Sequence, residues 1–346
     1  MIGGHVDIAV LAGAFLILVA GALQGTFAVP MKYARKWNHE NIWLVFAFTG
    51  LVLFPWLLTL ATVPSLGQVY SSTSSRTLWA IIASGLAWGV GATLTGIGLR
   101  MIGIGLGLAV VLGLSASVGS LVPLLVLSPH KVFTLQGGLY LLGTCVMFAG
   151  IALVAAAGAL REKSEQASGS PGAAGTPFSA GLLVAVAAGI LSSALNFSYA
   201  FGTEAIEHAR RLGASSAWAP NVVAVLATTG GFLANLAYCA WRFYRNSSGR
   251  LYFSSGSGSH WVYGALMGGF WFGGLAVYGM GVYRMGSFGT VAGWPLLMGT
   301  IIIASNLAGL LTGEWARASA RSKAYLFRGT FVILGALAVL ATAQQA

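Results

Sequence analysis

The chain has 346 residues, of which 57% are hydrophobic and only 7% charged. A soluble domain carries about a quarter charged residues, so this inventory excludes a water-facing surface over most of the molecule. The formal net charge is +11, but the basic residues are scattered through short segments between apolar runs, a placement that speaks of membrane orientation and not of nucleic acid.

Apolar runs of about 20 residues, long enough to cross a hydrocarbon core, predict ten membrane helices at 8–29, 42–63, 78–99, 104–126, 135–160, 180–201, 219–241, 261–283, 288–312 and 325–342. No Lys or Arg precedes Lys32, so the first run lacks the basic start of a cleaved signal peptide and is expected to stay as a span. Arg328 is the one charge inside a predicted span and sits near its start, where it can snorkel. Loops after odd-numbered spans, counted with Arg328 at the start of the tenth span, hold thirteen Lys and Arg against five after even-numbered spans, which places the odd loops in the cytoplasm and both termini outside. The polar segment 161–177, REKSEQASGSPGAAGTP, reads as a cytoplasmic linker that divides the chain into five-helix halves, 1–160 and 178–346. The Ser/Gly stretch 254–259 reads as a flexible loop. Cys145 and Cys239 fall inside apolar runs and suggest neither a disulfide nor a metal site.

The halves resemble one another. At an offset of 184, GLAWGVGATLTGIGLRM from Gly85 lies over GFWFGGLAVYGMGVYRM from Gly269; at 168, the segment from Gly21 lies over the one from Gly189. Halves with an odd number of spans must sit upside down relative to each other, and inverted repeats are a transporter architecture with the solute site near the midplane between them. The glycine pairs Gly85/Gly89 and Gly269/Gly273 are expected to serve close helix packing.

No catalytic constellation and no metal spacing is present, so no enzyme and no cofactor is expected; the run Gly103, Gly105, Gly107 lacks a third glycine at the place a nucleotide loop requires. What remains is neutral polar and aromatic side chains within spans. Ser192, Asn196 and Tyr199 recur on one face of the sixth span; Trp271, Gly274 and Tyr278 on one face of the eighth; Trp294, Met298 and Asn306 along the ninth, beside a Pro295 expected to kink it. Gln24, Trp88 and Thr95 complete the set. Amides that both donate and accept, with flat aromatic faces, suit a sugar, while the same residues also serve as glue between helices and as interface anchors. For proton coupling the candidates are Asp7, Glu204 and Glu314, all at span ends, where a carboxylate is also at home as a solvated terminal charge.

Four stretches carry a family resemblance: GALQGTFAVPMKYARKWNHENIW from Gly21, GIGLRMIGIGLGLAVVLG from Gly96, GILSSALNFSYAFG from Gly189 and GWPLLMGTIIIASNLAGLLTGEW from Gly293. In order and spread over nearly the whole chain, they resemble the L-rhamnose-proton symporter family of the drug/metabolite transporter superfamily. The resemblance implies ten helices in two inverted five-helix repeats and proton-coupled sugar uptake at a bacterial inner membrane, with a sugar, a proton and the bilayer as partners and neither nucleic acid nor an obligate protein partner. It departs in the third span, where Ala92, Thr93, Leu94 and Thr95 replace a stretch in which the family carries an Asn and a Tyr, and this leaves the choice of sugar open. A metabolite or drug exporter of the same superfamily would not need the amides, and a membrane scaffold or receptor without transport would tolerate their loss.

Overall fold

The computed structural model describes residues 8–127, 132–167, 177–285 and 287–343. Every regular element among them is helical: α1 (Ile8–Thr26), α2 (His39–Phe48), α3 (Phe54–Thr62), α4 (Leu66–Ser72), α5 (Ser75–Ile102), α6 (Ile104–Leu127), α7 (Leu135–Ala167), α8 (Phe178–Ser192), α9 (Ala194–Phe201), α10 (Thr203–Arg211), α11 (Asn221–Asn246), α12 (Gly258–Met285), α13 (Ser287–Leu311) and α14 (Ala320–Ala343). Eight helical stretches are long and apolar enough to cross a membrane, and two shorter apolar stretches, Leu106–Ser115 and Leu296–Leu311, fall where the fourth and ninth spans are predicted. The chain is a multi-pass membrane protein.

Several boundaries differ from the sequence reading. Helix α2 begins at His39, three residues early, which draws His39 and Glu40 into a buried helix start. Helix α7 continues to Ala167, so the first seven residues of the expected linker are helical; they contain no helix breaker. The predicted sixth span breaks at Ser193 between α8 and α9, which interrupts the face meant to carry Ser192, Asn196 and Tyr199. Helix α13 runs on through Pro295 without a break. Between α2 and α3 the backbone widens into a π turn at Thr49–Leu53, directly ahead of Pro55, which cannot donate to the preceding turn.

The chain divides into two compact units, the described residues of 1–26, 97–189 and 273–346, and those of 27–96 and 190–272. Each draws on both halves of the sequence. In the first unit a Cβ on Gly13 would lie 2.5 Å from Met285 Cγ, and one on Gly181 would lie 2.9 Å from Met101 Cβ. One on Gly21 would meet Thr300 and Leu297, and one on Gly189 would meet Leu114 and Val111. The glycines are 168 positions apart, and Met101 and Met285 are 184 apart, the two spacings at which the halves align. In the second unit α5 and α11 touch backbone to backbone: a Cβ on Gly85 would lie 2.1 Å from the Ala227 carbonyl oxygen and one on Gly89 2.4 Å from that of Gly231. Gly273 takes no such part, since a Cβ there meets nothing within 4 Å; within this unit Gly264 and Gly268 make the close approaches of α12, to Val45 and Thr49.

Candidate functional site

In the second unit, α5 carries Trp88 and α12 carries Trp271, and the structure brings these two predicted aromatics together with ring centroids 5.6 Å apart and planes 31° apart. Trp88 can sit there because Gly231 leaves room: a Cβ on Gly231 would lie 2.6 Å from the indole ring. Neither indole N–H has a hydrogen-bond partner among the described residues. The pair therefore offers apolar faces and two free donors.

Its neighbours are held by a finished hydrogen-bond network. Asn235 of α11 is fully buried; its Oδ1 accepts from Trp43 Nε1 at 2.8 Å and lies 3.0 Å from the Thr93 hydroxyl. Its Nδ2 donates to the carbonyls of Gly231 at 2.8 Å and Gly89 at 3.3 Å. The sequence reading passed over Asn235, although a lone Asn four residues after a glycine in an apolar run was the available signal. Thr95 donates to the Gly91 carbonyl of its own helix at 2.9 Å, so both hydroxyls of the departing stretch are engaged locally. The Ser192 backbone crosses Gly91, whose Cβ would lie 2.9 Å from the Ser192 nitrogen. Tyr199 packs against an apolar cluster that includes Val69, Ile81 and Val223.

Glu204, at the start of α10, serves as a cap. Its carboxylate accepts from the Ser74 backbone N–H at 2.8 Å, from the Ser74 hydroxyl at 2.7 Å and from the Thr77 hydroxyl, all at the start of α5. Hydrogen bonds from Thr77 and Ser74 hold its pKa down at about 2. Glu40, also passed over, is fully buried and accepts from Asn246 Nδ2 at 2.6 Å and Ser248 Oγ at 2.8 Å, with Arg242 Nε 3.6 Å away.

In the first unit, Gln24 of α1 rests its side chain on Gly274 of α12, and its amide has no hydrogen-bond partner among the described residues. By spacing, Gly274 lies between Trp271 and Tyr278 on one face of α12. Tyr278 packs beside Gly293, whose Cβ would lie 3.6 Å from the ring. Asn306 of α13 is buried; its Nδ2 donates to Thr330 Oγ1 at 2.9 Å, while its buried Oδ1 has no partner among the described residues. An unpaired buried acceptor is costly unless something else fills it.

Glu314 follows α13, and both its oxygens approach the Ile104 backbone N–H, at 3.1 and 3.2 Å, placing a carboxylate on the N-terminus of α6. Only glycine fits at position 103, which has φ +94° and whose Cβ would lie 2.8 Å from Glu314 Oε2 and 3.3 Å from Arg161 Nη1. Arg161 is buried, donates to the Ile102 carbonyl at 2.9 Å and stacks over Trp315 at 5.0 Å. The expectation for 161–177 treated Arg161 as a linker charge; helix extension through Ala167 is what carries it inside. Asp7 and the side chains of Asn196 and Trp294 lie outside the described residues. No group of three or more potential metal ligands occurs among the described residues.

A family model for the L-rhamnose-proton symport protein (RhaT) matches residues 6–344. An L-rhamnose-proton symporter of Yersinia pestis (strain Pestoides F) is similar at 27% identity over 335 residues, covering 94% of this chain and 96% of the relative. The L-rhamnose-proton symporter of Yersinia pseudotuberculosis (serotype O:1b, strain IP 31758) is similar to the same extent.

Proposed function

The chain belongs to the L-rhamnose-proton symport protein family, and on that premise we propose that it is a secondary transporter that imports a monosaccharide, L-rhamnose or a close relative, together with a proton. Membership in a family of symporters makes it a carrier and not an enzyme. The observation that carries the sugar reading is the Trp88–Trp271 pair with both indole donors unspent. Aromatic faces suit the apolar side of a pyranose, and free N–H groups suit its hydroxyls. Within the first unit, Gln24 with its whole head group available and Asn306 with one carbonyl oxygen are amides of the kind that sugar hydroxyls use.

Ten spans in two inverted repeats, 1–160 and 178–346, agree with the matched contacts of Gly13 with Met285 and Gly181 with Met101. The excess of Lys and Arg in odd-numbered loops supports periplasmic termini in a bacterial inner membrane. Of the candidate acids, Glu314 suits proton coupling best. Neutralising it removes the negative charge from the α6 N-terminus and from beside Arg161, so that a proton changes how three segments are held. Glu204, capped by three donors, stays ionised at any physiological pH.

The test is uptake of labelled L-rhamnose and related sugars into cells lacking their own carrier, with and without a protonophore. Accumulation of a sugar that collapses with the protonophore is expected. No accumulation of any sugar would overturn uptake, and accumulation that survives the protonophore would remove the proton from the scheme.

A further inference from the structure

One end of the second unit combines three features that the transport reading does not use. The first is a groove of about 590 Å³ lined almost wholly by apolar atoms, among them those of Val45, Phe48, Phe232, Leu236, Trp261 and Val262. Phe48, Leu236, Trp261 and Val262 are exposed. Apart from Tyr252, its wall residues lie within the first half of the His39–Thr62 span, at Phe232 and Leu236 near the middle of α11, and in the first turns of α12, so the groove runs from near one end of the unit to about the middle of these helices. The groove therefore spans one leaflet's depth.

The second feature is an aromatic collar at the groove's mouth. Trp37, Tyr252 and Trp261 meet with ring centroids 4.8 to 5.5 Å apart, and Trp37 Nε1 donates to the Leu251 carbonyl at 3.1 Å. Amphipathic rings of this kind settle at headgroup level. The third is charge. Lys32, Arg35, Lys36, Arg242, Arg245 and Arg250 gather in the segments that form this end, against one acid, Glu40, which is buried and faces Arg242. Lys36 is tied to the mouth through its backbone N–H, which donates to His260 beside Trp261 at 3.3 Å, and Arg250 stands two residues from Tyr252. Both side chains are exposed. The opposite end of the unit has no such imbalance: Glu204 and Glu207 there offset Arg76, Arg210 and Arg211, with Glu207 3.3 Å from Arg210.

We propose that this groove is a binding site for one anionic phospholipid, its acyl chain against Phe48, Leu236 and Val262 and its phosphate at the basic collar that carries Lys36 and Arg250. The apolar wall fixes the chain, and the charge selects the headgroup. A zwitterionic lipid satisfies the first requirement and not the second.

Full-length protein in mild detergent is titrated with dioleoylphosphatidylglycerol or dioleoylphosphatidylcholine, and bound lipid is counted by native mass spectrometry. A single retained phosphatidylglycerol, bound about tenfold or more in preference to phosphatidylcholine, is expected, because each cation at a lipid surface is worth about fivefold in affinity. The double variant Lys36→Gln/Arg250→Gln, altered only at exposed side chains, should lose that preference. Ala265→Trp, which fills the groove, should lose both lipids. Equal retention of the two lipids by the wild type, or a preference that survives in both variants, would overturn the site. So would a dimeric species that excludes lipid and vanishes in Ala265→Trp, which would assign the groove to a second copy of the chain. Transport activity enters none of these readouts.

Discussion

Two asparagines, one in each unit, stand in apolar helices and are almost completely buried, yet the structure treats them differently. Asn235 uses every hydrogen-bonding position of its amide: two donations to backbone carbonyls, one indole donor accepted and one hydroxyl within reach. Asn306 uses only its nitrogen, on Thr330, and leaves its carbonyl oxygen buried with no partner among the described residues. A satisfied amide in an apolar interior is a fastener, and a half-satisfied one holds binding capacity in reserve. The carboxylates differ in where they are held. Glu204 is saturated by three donors at the start of α5, whereas Glu314 sits on the N-terminus of α6, next to a buried arginine.

The sharpest way to break this comparison is to remove the fastener. Asn235→Ala strands the buried Trp43 N–H and opens a cavity between α5 and α11, and is expected to destabilise the fold by about 2–4 kcal/mol. Thermal unfolding in detergent measures this, and an unchanged midpoint would mean that the network is dispensable. Next in size is Glu314→Gln, which retains hydrogen bonding to Ile104 but cannot take up a proton. Sugar should still equilibrate across the membrane and no longer accumulate, so the variant separates entry from coupling. Full accumulation would return Glu314 to the role of a helix cap.

A smaller effect is expected at Asn306. Asn306→Leu removes an orphaned carbonyl along with one hydrogen bond, so stability should move by no more than about 1 kcal/mol, while the sugar's KM rises about tenfold through loss of a matched partner. A drop in the unfolding midpoint as large as that of Asn235→Ala, with KM unchanged, would make both residues fasteners.

Most of the fold was legible because a bilayer demands long apolar helices, and those are visible one residue at a time. What lay hidden required a partner from a distant segment. Gly85 and Gly89 announced close packing, but Gly269 and Gly273 looked the same, and the close approaches of α12 fall at other glycines, among them Gly264, Gly268 and Gly274. Composition cannot report which side of a helix faces another. Glu40 and Arg161 looked like loop charges because the apolar runs stop short of them. Their helices extend past the runs and bury them against Asn246 and Ser248 in one case and Trp315 in the other. In the site, Trp88 and Trp271 were legible as separate aromatics, and their pairing depends on a gap at Gly231 on a third helix. Asn306 was singled out and Asn235 passed over without sight of how differently they are partnered, since that difference lies in what Trp43, Thr93 and Thr330 contribute.

The smallest predicted effect tests the saturated end of the carboxylate comparison. The pKa of Glu204 is held at about 2, below its ordinary 4.5, because Thr77 and Ser74 donate to the ionised form. A carboxyl whose folded pKa is depressed contributes stability that is fully present above its unfolded value and is lost as pH falls from about 4.5 through about 2. Between pH 5 and 8 nothing about Glu204 titrates. Glu204→Gln keeps an acceptor for the start of α5 and should therefore leave the pH profile of uptake over that range in place, with little change in rate. The weakened cap should appear only as a smaller dependence of the unfolding midpoint on pH below about 4.5. A shifted uptake profile in this variant would instead mean that Glu204 exchanges protons during transport, and the division between a saturated and a working carboxylate would fail at the residue where the hydrogen bonds draw it most clearly.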